Sequence, residues 1–456
     1  MSSGLTSARG VLDDRRALLA WFDRTRARSA ALFDLIDDEA YYARPIALRH
    51  PIVFYEGHLP AFAVNVLIKK GLGLPGVDDR LEQLFARGID PHSQDAAERT
   101  AAETRALWPS RAEVKDYVAR AEDVLRGALR DATLERDDVP VLRGGEGVFT
   151  IIEHEAMHQE TLLYMWHRLP YALKRRGQAA EEYAPHAGGA APGRATARVD
   201  AGRATLGAAR GAIRFGWDNE FGEVTVDVPA FDIDVHDVTN ADWLQFIQAG
   251  GYRTPALWQA DDWAWVEREG VAHPGFWVDR GGAYGWRGMF AEIDLPAAWP
   301  VYVTLAEARA FAAWSGRALP TEAQYHRAAY GAPGADGTPR AQPWGDAPPD
   351  ATRGHFDFAG WDPAPAGAHP AGASAWGVHD LVGNGWEWTS TPFAPFPGFE
   401  PMPSYPEYSA DFFDGDHYVI KGASPVTARE LLRPTFRNWF RPRYPYVYAA
   451  FRTVSR

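Results

Sequence analysis

The chain has 456 residues and carries 47 Lys and Arg against 60 Asp and Glu, a formal charge of −13 that argues against nucleic-acid binding as its main business. Its length suggests two or three domains, and 46% hydrophobic residues suffice for ordinary buried cores. The absence of cysteine excludes disulfides, thiolate metal sites, iron–sulfur clusters and cysteine nucleophiles, so any metal must be held by His, Asp or Glu.

The opening stretch, MSSGLTSARGVLDDRR, has no apolar core of the kind a secretory signal carries, and no later stretch approaches the ~20 apolar residues of a membrane span. A soluble, cytoplasmic protein with no membrane and no nucleic-acid partner is expected. From residue 13 to about 176 the sequence reads in helical periods. Apolar residues recur at three and four spacing in Ala17, Leu18, Trp21 and Phe22, in Leu32, Phe33 and Ile36, and in Tyr117, Ala121, Val124, Leu125 and Leu129. Four or more long helices packed as a bundle is the simplest architecture. Residues 177–197, rich in Ala, Gly and Pro and without an apolar period, read as an interdomain linker.

After Val199 the texture changes to short β-type runs, such as residues 223–228 and 231–235, punctuated by Gly, Pro and Asp. Two helices stand out near residues 240–249 and 305–315, with Thr239 and Thr304 placed to cap them. The chain's 18 Trp are concentrated after residue 215, and with 43 Gly and 34 Pro they predict an α+β half that is loop-rich and held by aromatic packing. No internal repeat and no phosphate-cradling glycine motif is present.

The most informative stretch is residues 147–169, GVFTIIEHEAMHQETLLYMWHRL, where His154 and His158 lie four apart and project from one face of a helix. That is a metal-chelating spacing. HEAMH also matches the HExxH pattern of zinc proteases, with Glu155 as general base, but no HxxGxxH extension follows. The same helix holds Glu155-x-x-His158, half of a di-iron carboxylate site, with no second ExxH to complete it. A third ligand is available in PIVFYEGHLPAFAVNVL, where His58 sits on an apolar, aromatic helix. Alone it reads as a core histidine; beside the pair it reads as a ligand. Three neutral imidazoles suit Fe(II), Zn or Cu and leave coordination positions open. His50, His92, His167 and His186 have no such pairing and are expected at the surface.

The His58 helix followed by HEAMHQE resembles the metal-binding, DinB-like four-helix bundle of the ergothioneine-type sulfoxide synthases. DVTNADWLQFIQAGGY (237–252), GRALPTEAQYHRAAYG (316–331), WGVHDLVGNGWEWTST (376–391) and RNWFRPRYPYVYAAFR (437–452) are similar to successive motifs of the formylglycine-generating-enzyme fold, a C-type-lectin-like domain. The resemblance implies a DinB-like helical domain over 13–176, a linker over 177–198 and a formylglycine-generating-enzyme-like domain over 199–456. It implies that His58, His154 and His158 hold Fe(II), with O2 as co-substrate. The implied reaction joins a chalcogen atom to C2 of the imidazole of hercynine, the betaine of histidine. Sulfatase activation itself is excluded, because that chemistry resembles a cysteine-dependent copper oxidation. By position in the RNW motif, Asn438 and Trp439 match residues that hold the betaine end, while GNGWEW (383–388) reads as a fold-defining turn.

Several positions depart from the pattern. An Asp often follows the Asn-Trp pair, where this chain has Phe440; a Gln often precedes the second helix histidine, where it has Met157, with Gln159 just beyond. The loop that often reads YPGF aligns with FPGF, placing Phe396 where a Tyr is thought to assist oxygen chemistry. The paired arginines expected for γ-glutamylcysteine are missing, and RGIDP, which begins at Arg87, resembles the selenoneine synthases. A sugar has no carboxylates to neutralise. The resemblance therefore implies an enzyme joining selenium of a selenosugar to hercynine, with Asn438, Trp439, Phe440, Met157, Phe396 and Arg87 around the substrates. The alternative is an ergothioneine-type synthase using γ-glutamylcysteine or cysteine; a metal-dependent hydrolase and a non-catalytic binding protein stand behind both. No residue for oxygen activation emerges among the 18 Tyr.

Overall fold

The computed structural model describes residues 12–86, 107–175, 189–335 and 337–455. The chain divides into two compact units, one formed by Met1–Tyr183 with Pro401–Pro406, the other by Ala184–Glu400 with Glu407–Arg456. Most of the expected linker, and with it His186, lies outside the described residues, as do Arg87 and His92. No helix among the described residues is long and apolar enough to cross a membrane.

The first unit is helical. α1 (Arg15–Asp34) starts at Asp14, whose carboxylate accepts the Ala17 amide at 2.9 Å, and buries Leu18, Phe22, Leu32 and Phe33, while Ala17 faces out. α2 (Ile52–Ala63) is predominantly apolar apart from Glu56 and His58, and every one of its residues is buried, as befits a helix at the centre of a bundle. It runs on as a widened π-helical stretch, Val64–Gly71, shortly after Pro60, which has no amide hydrogen to give the preceding turn. A short α3 (Asp79–Leu84) follows. α4 (Arg111–Asp131) is capped by Ser110 and buries Val114, Tyr117, Ala121, Leu125 and Leu129. Val124, expected in that stripe, is 39% exposed, because it lies one residue and so about 100° from Leu125. α5 (Glu146–Arg168) follows Gly145, whose φ of 73° and lack of a Cβ, which would fall 2.3 Å from the Leu12 side chain, let the chain turn into the helix. Because neighbours cover α5 on several sides, His167 is 1% exposed, not at the surface as expected. His50 is half-buried and stacked on Phe54, its ring centroid 4.2 Å away.

The second unit combines short strands with short helices. β1 (Thr196–Val199) pairs antiparallel with β4 (Phe231–Asp234), and β2 (Gly202–Leu206) with β3 (Val224–Val228). α6 (Asn240–Gln248) and α8 (Leu305–Trp314) begin at Thr239 and Thr304, each completing a reciprocal cap with the residue three positions on, as their sequences predict. α7 (Ala260–Glu269) lies between them, followed by the meander β5 (Trp277–Asp279), β6 (Tyr284–Arg287) and β7 (Glu292–Asp294). After α9 (Glu322–Tyr330) come β8 (Gly385–Pro392), β9 (Tyr418–Ala423), β10 (Asn438–Phe440) and β11 (Ala449–Ala450), which form one sheet in the order β10-β9-β8-β11. Seven tryptophans rank among the largest fully buried side chains, six of them in this unit, so aromatic packing does carry its core. The GNGWEW turn is structural: Asn384, at a φ of 67°, exchanges two hydrogen bonds with the backbone of Ala364, and Glu387 pairs with the fully buried Arg452 at 2.6 Å. A helical bundle followed by an irregular α+β domain is thus the fold.

Candidate metal centre

α2 contributes His58, and α5 contributes His154 and His158 one turn apart. The helices bring one ligand atom from each histidine within 4.8 Å of the others, and no Asp or Glu joins the cluster among the described residues. The Nε2 atoms of His154 and His158 are 3.1 Å apart, and Nδ1 of both rings is buried with no hydrogen-bond partner. Nδ1 of His58 meets the Phe85 carbonyl at 2.7 Å, a bond that requires the proton on Nδ1 and leaves Nε2 as a lone pair. Gly57 makes that contact possible, since a Cβ there would fall 2.3 Å from the Phe85 ring.

Burial holds His58 down at about 4, against the pull of the Phe85 carbonyl. His154 and His158 are pushed well below the ordinary histidine range, again by burial first and then by neighbouring positive charge, including that of Arg49 on His158. All three are neutral near pH 7, the form that ligates a cation. Aromatic rings wall them in: Phe62 stacks on His154 at 3.6 Å and 10°, Phe54 on His58 at 4.8 Å, and Tyr55 lies 5.8 Å from His158. Three neutral imidazoles with unpartnered buried nitrogens fit a divalent transition metal, and the donor set alone suits iron, zinc or copper.

Glu155, the general base of an HExxH hydrolase, is committed elsewhere. Its Oε1 accepts from Arg26 at 2.8 Å and from Ser29 at 2.5 Å, both on α1. Gln159 is likewise turned to α1, donating to the Thr25 carbonyl at 2.8 Å and the Ser29 hydroxyl at 2.9 Å, so it does not stand in for a glutamine at position 157. Met157 is half-buried beside His158.

One aromatic residue at the centre has no signal in the sequence. Tyr405, on the segment Pro401–Pro406, has its ring 5.1 Å from Phe62 and 6.1 Å from His154. Phe396, nine positions earlier, belongs to the second unit, where the Arg437 guanidinium stacks over its ring at 4.2 Å.

The remaining predicted substrate residues also lie in the second unit. Trp439 is half-buried, stacked on Phe393 at 4.1 Å and 8°, with Tyr408 edge-on at 5.2 Å. The Asn438 side-chain carbonyl accepts the Trp439 amide at 2.9 Å, which leaves its NH2 group as a donor. Phe440 stacks on Tyr444 at 5.5 Å and 12°. Arg87 lies outside the described residues.

Residues 22–162 match the DinB superfamily, and residues 183–456 match the sulfatase-modifying factor enzyme 1-like domain. The hercynine oxygenase of Mycolicibacterium thermoresistibile is 44% identical over 241 residues, 52% of this chain and 53% of that one, so the match spans about half the length of that relative. The ergothioneine biosynthesis protein 1 of Neurospora crassa is 26% identical across 98% of this chain and 58% of its own length. The hercynine oxygenase of Mycobacterium tuberculosis is 36% identical over 437 residues, covering 94% of this chain and 96% of its own. Identity of that extent, carried through both domains, makes this chain a member of the hercynine oxygenase family.

Proposed function

We propose that the chain is a cytoplasmic, Fe(II)- and O2-dependent enzyme that joins sulfur, delivered by γ-glutamylcysteine or cysteine, to C2 of the hercynine imidazole. The observation that carries this reading is the convergence of His58, His154 and His158 within 4.8 Å in an aromatic enclosure, in a chain of this family. Bound there, ferrous iron would supply open positions at which O2 and a soft chalcogen donor meet. The protein's part is orientation. The Phe85 carbonyl fixes the tautomer and plane of His58. The rings of Phe54, Tyr55 and Phe62 keep water from the histidines and hold them in place. Asn438 has an NH2 donor to offer the hercynine carboxylate, and the half-buried Trp439, packed by Phe393, Tyr408 and Phe412, is assigned the trimethylammonium group. Tyr405 brings a phenol beside His154 and is assigned the delivery of a proton during turnover.

A second reading, with a selenosugar as donor, is favoured by Phe440. Its ring is stacked on Tyr444, which in turn lies edge-on to Tyr446 at 4.9 Å, an aromatic surface that suits a sugar face better than carboxylates. The test is anaerobic reconstitution with Fe(II), then air, hercynine and one donor at a time, with mass analysis for the hercynine adduct. An adduct with a thiol supports the first reading. An adduct with the selenosugar alone replaces the donor, and no adduct with any donor refutes the proposed reaction.

A further inference from the structure

Tyr405 reaches the histidines on a segment more than two hundred positions along the chain from the end of α5, and a compact set of polar contacts holds that segment there. Oε1 of Glu146 accepts from the Ser404 backbone N–H at 2.9 Å and from the Ser404 hydroxyl at 2.7 Å. The hydroxyls of Ser404 and Thr150 lie 2.9 Å apart. Ser404 and Thr150 are both fully buried. Along α5 these groups fall in one series: Glu146, Thr150, His154 and His158 follow at four-residue spacing and so share a helix face. One stripe of α5 therefore carries the anchor at its start and two candidate ligands at its end.

Three further features make the anchor suited to its task. Glu146 sits in the first turn of its helix, where exposed amides and the helix dipole favour a carboxylate as the anion. Hydrogen bonds to an anion are roughly twice as strong as neutral ones. Finally, positions 401, 403 and 406 are proline, which fixes their φ and confines Met402 and Tyr405 to extended backbone, so pinning Ser404 also fixes the neighbouring tyrosine.

We infer that Glu146 is a positioning residue: through Ser404 it clamps the 401–406 segment along α5 and thereby holds the Tyr405 ring against Phe62 and His154. Its consequence for turnover rests on the reaction proposed above, whereas the clamp itself does not.

Hydrogen exchange in the metal-free, full-length protein tests the clamp directly. In Glu146→Ala the Ser404 amide, which loses its acceptor, should exchange about 10- to 100-fold faster than in the parent, with α2 and α5 beyond its first turn unchanged. Ser404→Ala, the milder variant, should give a smaller increase in the same peptide, and Glu146→Gln, which keeps the acceptor oxygen, should restore most of the protection. Unchanged exchange across 401–406 in both alanine variants overturns the inference. The second readout is a double-mutant cycle on adduct formation. Glu146→Ala should lower kcat about 10-fold with the KM for hercynine and the iron content unchanged, and should lower it no further in a Tyr405→Phe background. Multiplicative losses in that cycle would overturn the route through Tyr405. If the parent protein makes no adduct, the reaction reading fails and the exchange data still decide the clamp.

Discussion

Replacing Glu155 by Gln separates a hydrolase from a positioning role for the acid of the HExxH pattern. Glu155 is 3% exposed and its carboxylate accepts from Arg26 and Ser29; among the described residues Arg26, itself 7% exposed, keeps Glu122 alone as an acidic partner, at 2.9 Å, once that charge is removed. A buried charge-assisted hydrogen bond is worth about 1.5–3 kcal/mol, so the isosteric amide should cost the bundle roughly 2–3 kcal/mol. At about 2–4 °C per kcal/mol for a unit of this size, the thermal midpoint of the helical unit should fall by roughly 4–12 °C. The assay pairs a helix-specific circular dichroism melt with iron content and adduct formation at a temperature where the variant is folded. Iron and turnover per folded molecule should stay within about twofold of the parent. An unchanged melt together with abolished turnover would refute the assignment and return Glu155 to the chemistry.

His154→Ala should abolish iron retention while leaving the far-ultraviolet spectrum of the bundle intact, since one ligand is lost but the apolar contacts of α5 remain; iron retained at the parent stoichiometry would remove His154 from the ligand set. Gly57→Ala should push Phe85 off α2 and its carbonyl off His58, weakening iron affinity about 10-fold or more in a chelator competition while His58 itself is unchanged. A pH dependence is expected from His326 on α9. It donates from Nε2 to the Pro434 carbonyl at 3.1 Å, and burial, then the charge of Lys421, holds it at about 3. Between pH 6.5 and 3 the unfolded chain binds the proton that the folded form refuses, so stability of the second unit falls as pH falls through this window, by roughly 5 kcal/mol in all. Urea midpoints measured at pH 7 and pH 5 should differ less in His326→Gln than in the parent.

How much of this is legible in the sequence depends on how local each feature is. The His154 and His158 pair is a property of one helix turn, and its spacing alone announces it. His58 stands on another helix, where its apolar, aromatic company reads as core, and only the pair on α5 marks it as a ligand; Phe54 and Phe62 turn out to stack on the histidines. Thr239 and Thr304 cap their helices as written, because capping is settled within four residues. Glu155 is where pattern and structure part: HExxH matches, yet the residue's partners, Arg26 and Ser29, are on α1 and no motif contains them. His167 fails for the opposite reason. It lies off the ligand face, but the rest of α5 is covered too, and burial on several sides erases the periodicity that would separate core from surface. Tyr405 and its Glu146 anchor are joined only by tertiary contact, so neither is marked in the chain.

The placement of Tyr405 so late in the chain has a consequence during synthesis. The three histidines are all in place once α5 has emerged, and at about 5–20 residues per second the segment carrying Tyr405 follows roughly 10–50 s later. For that interval the nascent bundle can gather its ligands and take up a cation while lacking the phenol at its wall. On the proposed function, metal capture would thereby precede completion of the site, and a chain truncated before residue 401 is expected to keep the three histidines without the companion tyrosine.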